Sequence, residues 1–153
     1  MHLVSFFAEG QPRIGMLDGT AAEVVDLSLA APDLPSEMTA FIALGGAGLA
    51  AARQALAGGA GRRPLAQVQL LAPIPRPRRN LFCVGKNYRA HAHEIRSLGS
   101  GSGDTRDGVP TQPIIFTKAT TCVIGPHATI PAWLDATHTV DYEGELAVVI
   151  GQG

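Results

Sequence analysis

Apolar and polar residues alternate every second position through much of this chain, and a helical period shows only in two stretches between. Residues 2–7, 13–17 and 23–27 read as three short strands of a meander, with Asp18-Gly19 as the hairpin signal. Pro32 and Pro35 break the chain, and residues 37–56 then predict a helix with an Ala-rich second half, interrupted at Gly45-Gly46-Ala47-Gly48. Residues 58–64 read as loop and 68–71 as one short strand. Pro73, Pro75 and Pro77, interleaved with Arg76, Arg78 and Arg79, predict an extended basic linker. Beyond it, residues 81–85 predict a buried strand, and Asn87 is placed to cap a helix over 88–95. A polar, Gly- and Ser-rich loop over 97–110 leads to a strand over 113–118. The last run, 141–150, reads as a strand with Asp141, Glu143 and Glu145 on one face and Tyr142, Leu146, Val148 and Ile150 on the other. The pattern predicts an α+β chain, mostly β: a small β-rich domain over 1–72 and a second domain over 73–153.

Composition narrows the function classes. At 153 residues, 46% hydrophobic and 16% charged, the chain is long and apolar enough to bury a core. Its 18 glycines and 11 prolines favour a turn-rich protein over a helix bundle. A formal net charge of -1 leaves no electrostatic footprint for nucleic acid or an acidic membrane surface. Cys83 and Cys122 lie in apolar runs without CxxC spacing and are expected to be reduced core thiols. No basic leader with a long apolar stretch follows Met1, and no run reaches a membrane span, so a soluble, cytoplasmic protein is expected.

Several chemistries can then be weighed. An apolar run followed by Gly-Gly-Ala-Gly superficially suggests a dinucleotide fingerprint. That motif needs a later acidic residue to hold a ribose, and no Asp or Glu occurs between Glu37 and Glu94. His91, His93, His127 and His138 lack zinc-ligand spacing. His91 and Glu94, three apart, share a helix face, an arrangement that suits a general base but also occurs on inert helix surfaces. Same-face carboxylates at 143 and 145 repel unless a cation lies between them, and hard divalent ions take oxygen ligands; an acidic solvent-facing edge strand is the alternative. Lys118 ends its strand either as a surface residue or as a cation aimed at an anionic substrate.

Three motifs add up to a resemblance. Val84-Gly85-Lys86-Asn87-Tyr88-Arg89-Ala90-His91-Ala92-His93-Glu94 is similar to the G-x-N-Y-x-x-H-x-x-E signature of the fumarylacetoacetate hydrolase family. Pro113-Ile114-Ile115-Phe116-Thr117-Lys118 resembles its P-x-x-F-x-K strand, and the run from Asp141 to Gly151 its D-Y-E-x-E-L-x-x-V-I-G strand. Found in family order, the three are specific together. The resemblance implies a mixed β-roll domain, usually dimeric, that binds Mg²⁺, Mn²⁺ or Ca²⁺ and acts on 2-oxo acids. Family members cleave carbon–carbon bonds of acylpyruvates and β-diketo acids, a role in aromatic or amino-acid catabolism. Relatives decarboxylate oxaloacetate or act as isomerases and hydratases, and a non-catalytic metal-binding module is a further alternative.

Carried over by motif, Glu143 and Glu145 match metal ligands, His91 and Glu94 the water-activating dyad, and Lys118 the strand lysine near the site. Asp141 shares the acidic face but matches no general ligand of the family. The family's third carboxylate ligand, an Asp, and a second lysine lie further along than Glu145, and this sequence carries no acidic residue after it. The expectation is therefore an N-terminal fragment of a longer enzyme, weak in metal binding and activity on its own.

Overall fold

A computed structural model describes residues 2–97, 105–106 and 108–151. The loop expected over 97–110 falls largely outside the described residues. The chain divides into two compact units, Met1–Pro75 with Ile124–Gly153, and Arg76–Val123.

The first unit opens with β1 (His2–Ala8), β2 (Gln11–Leu17) and β3 (Glu23–Asp26), an antiparallel meander as the alternation predicts. The short α1 (Leu27–Ala30) follows, then α2 (Met38–Ala43) and α3 (Gly45–Gly58), then β4 (Arg62–Pro64) and β5 (Gln69–Leu70). These strands form one sheet in the order β4-β3-β2-β1-β5. Ile14 and Met16 leave the same face of β2 and join Leu27, Met38, Phe41, Ala52 and Ala55 in the core. Gly15, between them, permits close approach of β3, since a Cβ there would stand 2.5 Å from Val24 Cγ2.

Two local features add detail to the sequence reading. The β1–β2 hairpin turns on Glu9 and Gly10, both with positive φ (51° and 79°), while Asp18-Gly19 opens the β2–β3 hairpin as expected, Asp18 accepting from the Ala22 amide. The interruption expected at Gly45 divides the run over 37–56 into two helices: Gly45, at φ 56°, cannot continue the right-handed turn of α2. Glu37 caps α2, accepting from the amides of Thr39 and Ala40 at 3.0 Å each.

Opposite the core, an ion cluster ties the sheet together. Asp26, fully buried, accepts from Arg13 Nη1 at 2.8 Å, Arg63 Nε at 3.3 Å and the Ser28 amide at 3.0 Å, so it also caps α1. Glu9, on the hairpin turn, bonds Arg13 Nη2 at 2.7 Å and also receives Arg63 Nη2.

The second unit holds β6 (Leu81–Gly85), α4 (Arg89–Ser97), β7 (Thr105–Arg106), β8 (Val109–Pro110) and β9 (Ile114–Lys118). β6 pairs antiparallel with β9, Leu81 opposite Lys118 and Gly85 opposite Ile114. The strand over 81–85 was expected to be buried and is not: Phe82 is 73% exposed. A two-stranded ribbon has two faces, and too little chain surrounds this one to cover both. Cys122 is likewise exposed rather than a core thiol, and both cysteines are free.

The strand expected over 141–150 does not form. That run is irregular, with Leu146 at 82% and Ile150 at 87% exposure. A strand is stabilised by a neighbour's backbone, and no described strand of this chain pairs with it.

Two outcomes follow from the ion cluster. Asp26→Ala would leave the Arg13 guanidinium, only 7% exposed, with the exposed Glu9 carboxylate as its remaining ion-pair partner, and should cost about 3 kcal/mol in urea unfolding. Bonding from Arg63, then attraction to Arg13, holds the Glu9 carboxyl below its ordinary 4.5. Its stabilising contribution is therefore complete above that pH and lost as pH falls toward the lower folded value. Acid titration of the urea midpoint should show this loss in the wild type and a flatter profile in Glu9→Gln.

Candidate functional site

The residues singled out by the sequence fall into two groups, one in each compact unit. His91, Glu94 and Lys118 belong to the second, and Glu143 and Glu145 to the first.

In the second unit, β6 leads into α4 through Lys86, a non-glycine residue at φ 52°. The helix begins at Arg89, one residue later than expected, and Ala92 donates its amide to the Tyr88 carbonyl at 3.0 Å. His91 and Glu94 share a face, as the three-residue spacing predicts, with Nδ1 and Oε2 3.9 Å apart. That is a charge contact rather than a hydrogen bond. His91 is 31% exposed and Glu94 72%, so both are reachable by a small molecule and screened by water. His93 and Arg96 lie on a different face, toward Gly108, where an added Cβ would come within 2.9 Å of Arg96 Cδ. Ala92 is the residue of α4 that is buried.

Lys118 is exposed at the end of β9. The register puts it across from Leu81, whereas the turn into α4 leaves from Gly85 at the other end of the ribbon. Four residues of strand separate the two ends by about 13 Å.

In the first unit, Asp141, Glu143 and Glu145 are all exposed, and Asp141 Oδ1 accepts the Tyr142 amide at 2.8 Å. The donors fit a hard divalent cation in kind: two carboxylates, two residues apart, open to solvent. Among the described residues no group of three or more His, Cys, Asp or Glu side chains gathers to hold a metal ion.

The sequence reading passed over the residue that organises the approach to this run. Asp135 accepts from the Thr137 amide at 3.0 Å and hydroxyl at 2.6 Å, and from the amides of Thr139 at 2.6 Å and Val140 at 2.8 Å. The Thr137 hydroxyl, followed by these amides, holds its carboxyl at about 2. Asp followed by Thr two and four residues on is a turn-forming pattern that could have been read.

A cavity of about 540 Å³ in the same unit, lined by residues including Leu65, Leu70, Leu71, Ile124 and His127, contains none of the expected site residues.

The family model for the C-terminal domain of fumarylacetoacetate (FAA) hydrolase matches residues 80–153. Over 99% of its length the chain is 38% identical to the mitochondrial oxaloacetate tautomerase Fahd2a of Rattus norvegicus, covering 45% of that protein. Over 58% of its length it is 43% identical to the oxaloacetate tautomerase YisK of Bacillus subtilis, covering 27% of it. Among solved structures it is similar to a fumarylacetoacetate hydrolase from psychrophilic Exiguobacterium antarcticum, with TM-score 0.51 and 27% identity, over 80% of this chain and 36% of that one. The chain thus spans less than half the length of these relatives.

The turn at Lys86 yields a direct check. A left-handed residue with a Cβ costs about 1–2 kcal/mol, so Lys86→Gly should raise the thermal midpoint of the second unit. An unchanged or lower midpoint would mean that the lysine side chain itself holds the turn.

Proposed function

We propose that this chain, which belongs through residues 80–153 to the fumarylacetoacetate hydrolase family, serves an enzyme that interconverts the enol and keto forms of oxaloacetate or a closely similar 2-oxo dicarboxylic acid. The observation that carries this reading is the likeness over nearly the whole chain to proteins named oxaloacetate tautomerases, with His91 and Glu94 together on one face of α4. These relatives favour an oxaloacetate activity over the acylpyruvate cleavage that the sequence led us to expect.

Tautomerisation needs little machinery. The bond from carbon 3 to hydrogen breaks, its electron pair forms the carbon 2–carbon 3 double bond, and the carbonyl oxygen gains a proton. In this proposal His91 accepts and returns that proton, and Glu94 offsets the charge on the imidazole while it is held. Lys118 supplies a cation for a substrate carboxylate. Glu143 and Glu145 would hold part of the coordination of a Mg²⁺ or Mn²⁺, whose chemistry is that of a Lewis acid. Homodimerisation and a cytoplasmic location are part of the same proposal; the two free thiols suit a reducing compartment.

A second reading, hydrolytic cleavage of acylpyruvates with His91 activating water, is favoured by the likeness to the Exiguobacterium antarcticum enzyme. The same side chains would serve it, because a base beside a carboxylate can take a proton from water or from carbon.

The test follows the ultraviolet absorbance of enolic oxaloacetate with the full gene product and Mg²⁺. His91→Ala should slow the decay by about 100-fold or more. A decay rate indifferent to His91 would remove it from the mechanism. Pyruvate released from acylpyruvates, without any effect on the enol, would favour the cleavage reading.

A further inference from the structure

We infer that Gly108 is a positioning residue for α4: seated between His93 and Arg96 on the back of the helix, it sets where His91 and Glu94 point. The inference deepens the proposed function and rests on the reading of His91 and Glu94 as the proton-moving pair.

Helix geometry places the two pairs. Each residue of an α-helix advances by about 100°, so the His93–Arg96 pair is centred roughly 160° around α4 from the His91–Glu94 pair. Ala92, the buried residue of α4, projects between them. A helix held only along the Ala92 line is free to rock about its own axis. Contact along a second line stops that rotation, and the His93–Arg96 side is where one is found.

β7 and β8 pair antiparallel with Arg106 opposite Val109, so Gly108 stands in the two-residue connection at the tip of this ribbon. Its left-handed φ of 83° is what so tight a hairpin takes, and the turn alone accounts for it. The turn does not account for burial. Connections of this kind normally run in water, yet Gly108 is buried, and β8 packs against α4. A Cβ added at Gly108 would meet Arg96 Cδ at 2.9 Å, Arg96 Nη1 at 3.4 Å and His93 Nδ1 at 3.7 Å. The missing side chain is thus what lets the ribbon tip lie between these two side chains. His93 and Arg96 are otherwise exposed, so the seat buries little apolar surface. What it adds is the second line of contact. Orientation matters here because a misplacement of about 1 Å at a reacting group can cost on the order of a hundredfold in rate.

The test compares Arg96→Ala, Gly108→Ala and the double variant in the full gene product with Mg²⁺, on the decay of enolic oxaloacetate. Arg96→Ala removes one wall of the seat and should lower kcat roughly tenfold with KM unchanged, since the groups that hold substrate keep their places. The pH profile of kcat should keep its midpoint, because the His91–Glu94 spacing lies within the helix and moves with it. Gly108→Ala should lower kcat in the wild-type background and cost nothing further once Arg96 Cδ is gone. Amide exchange should quicken across α4 and stay as in the wild type across β6 and β9. Arg96→Ala, at an exposed position, tests the seat even where Gly108→Ala does not fold, and a wild-type kcat in it would overturn the inference. So would a loss of equal size for Gly108→Ala in both backgrounds, which would trace to the left-handed φ alone. Loss of protection in β6 and β9 would show a general structural role and also overturn it. Decay that ignores His91→Ala would overturn the tautomerase reading and this inference with it, whereas decay that needs His91 but ignores Arg96→Ala overturns this inference alone.

Discussion

Asp26 sits with no solvent exposure at the junction of β3 and α1, and the charges it collects fix how the first unit is assembled. A carboxylate taken out of water costs several kcal/mol unless it is paired and its remaining lone pairs are filled. Arg13 from β2, Arg63 from β4 and the Ser28 amide fill them, and Glu9 on the hairpin turn completes the arginines. Strand register follows from this. A slip of one residue would turn Arg13 into the apolar core and Ile14 out of it, losing the ion pair and the packing together.

No comparable constraint holds the parts of the chain that carry the family motifs. The β6–β9 ribbon exposes Phe82 and Ile115, and the run from Asp141 to Ile150 is irregular and exposed. The candidate residues His91 and Glu94 are likewise open to solvent in this chain, which spans less than half the length of its relatives. The contacts described there are local: the helix face that brings His91 to Glu94, and the Asp135 turn that leads into the acidic run. A helix spacing and a convergent carboxylate both act over a few residues, so they persist where long-range packing is sparse.

This division explains what could be read in advance. The three-strand meander was legible because its alternation is strong and its central strand is buried, and α4 because its polar face is a local signal, although it starts at Arg89 and not directly after Asn87. The turn at Glu9-Gly10 was not singled out because Glu is a weak marker for a left-handed residue, whereas Asp18-Gly19 marked the β2–β3 hairpin that forms. The break at Gly45 is written in the glycines, yet whether such a run bends or merely weakens a helix depends on the sheet it packs against. Burial of 81–85 and pairing of 141–150 depend on neighbours, which apolar content alone cannot supply. The family was legible from three motifs in order, and the match over 80–153 agrees with it. The reaction was not, because a histidine–glutamate pair and two carboxylates serve proton transfer from carbon as readily as attack by water.

The central claim is that the chemistry here is proton movement at the carbon beside a 2-oxo group. It is tested most directly by nuclear magnetic resonance of oxaloacetate in D₂O with the full gene product and Mg²⁺. The account predicts deuterium entering carbon 3 faster than in the protein-free control, with the carbon skeleton intact. Exchange no faster than in that control, together with cleavage of an acylpyruvate under the same conditions, would contradict it.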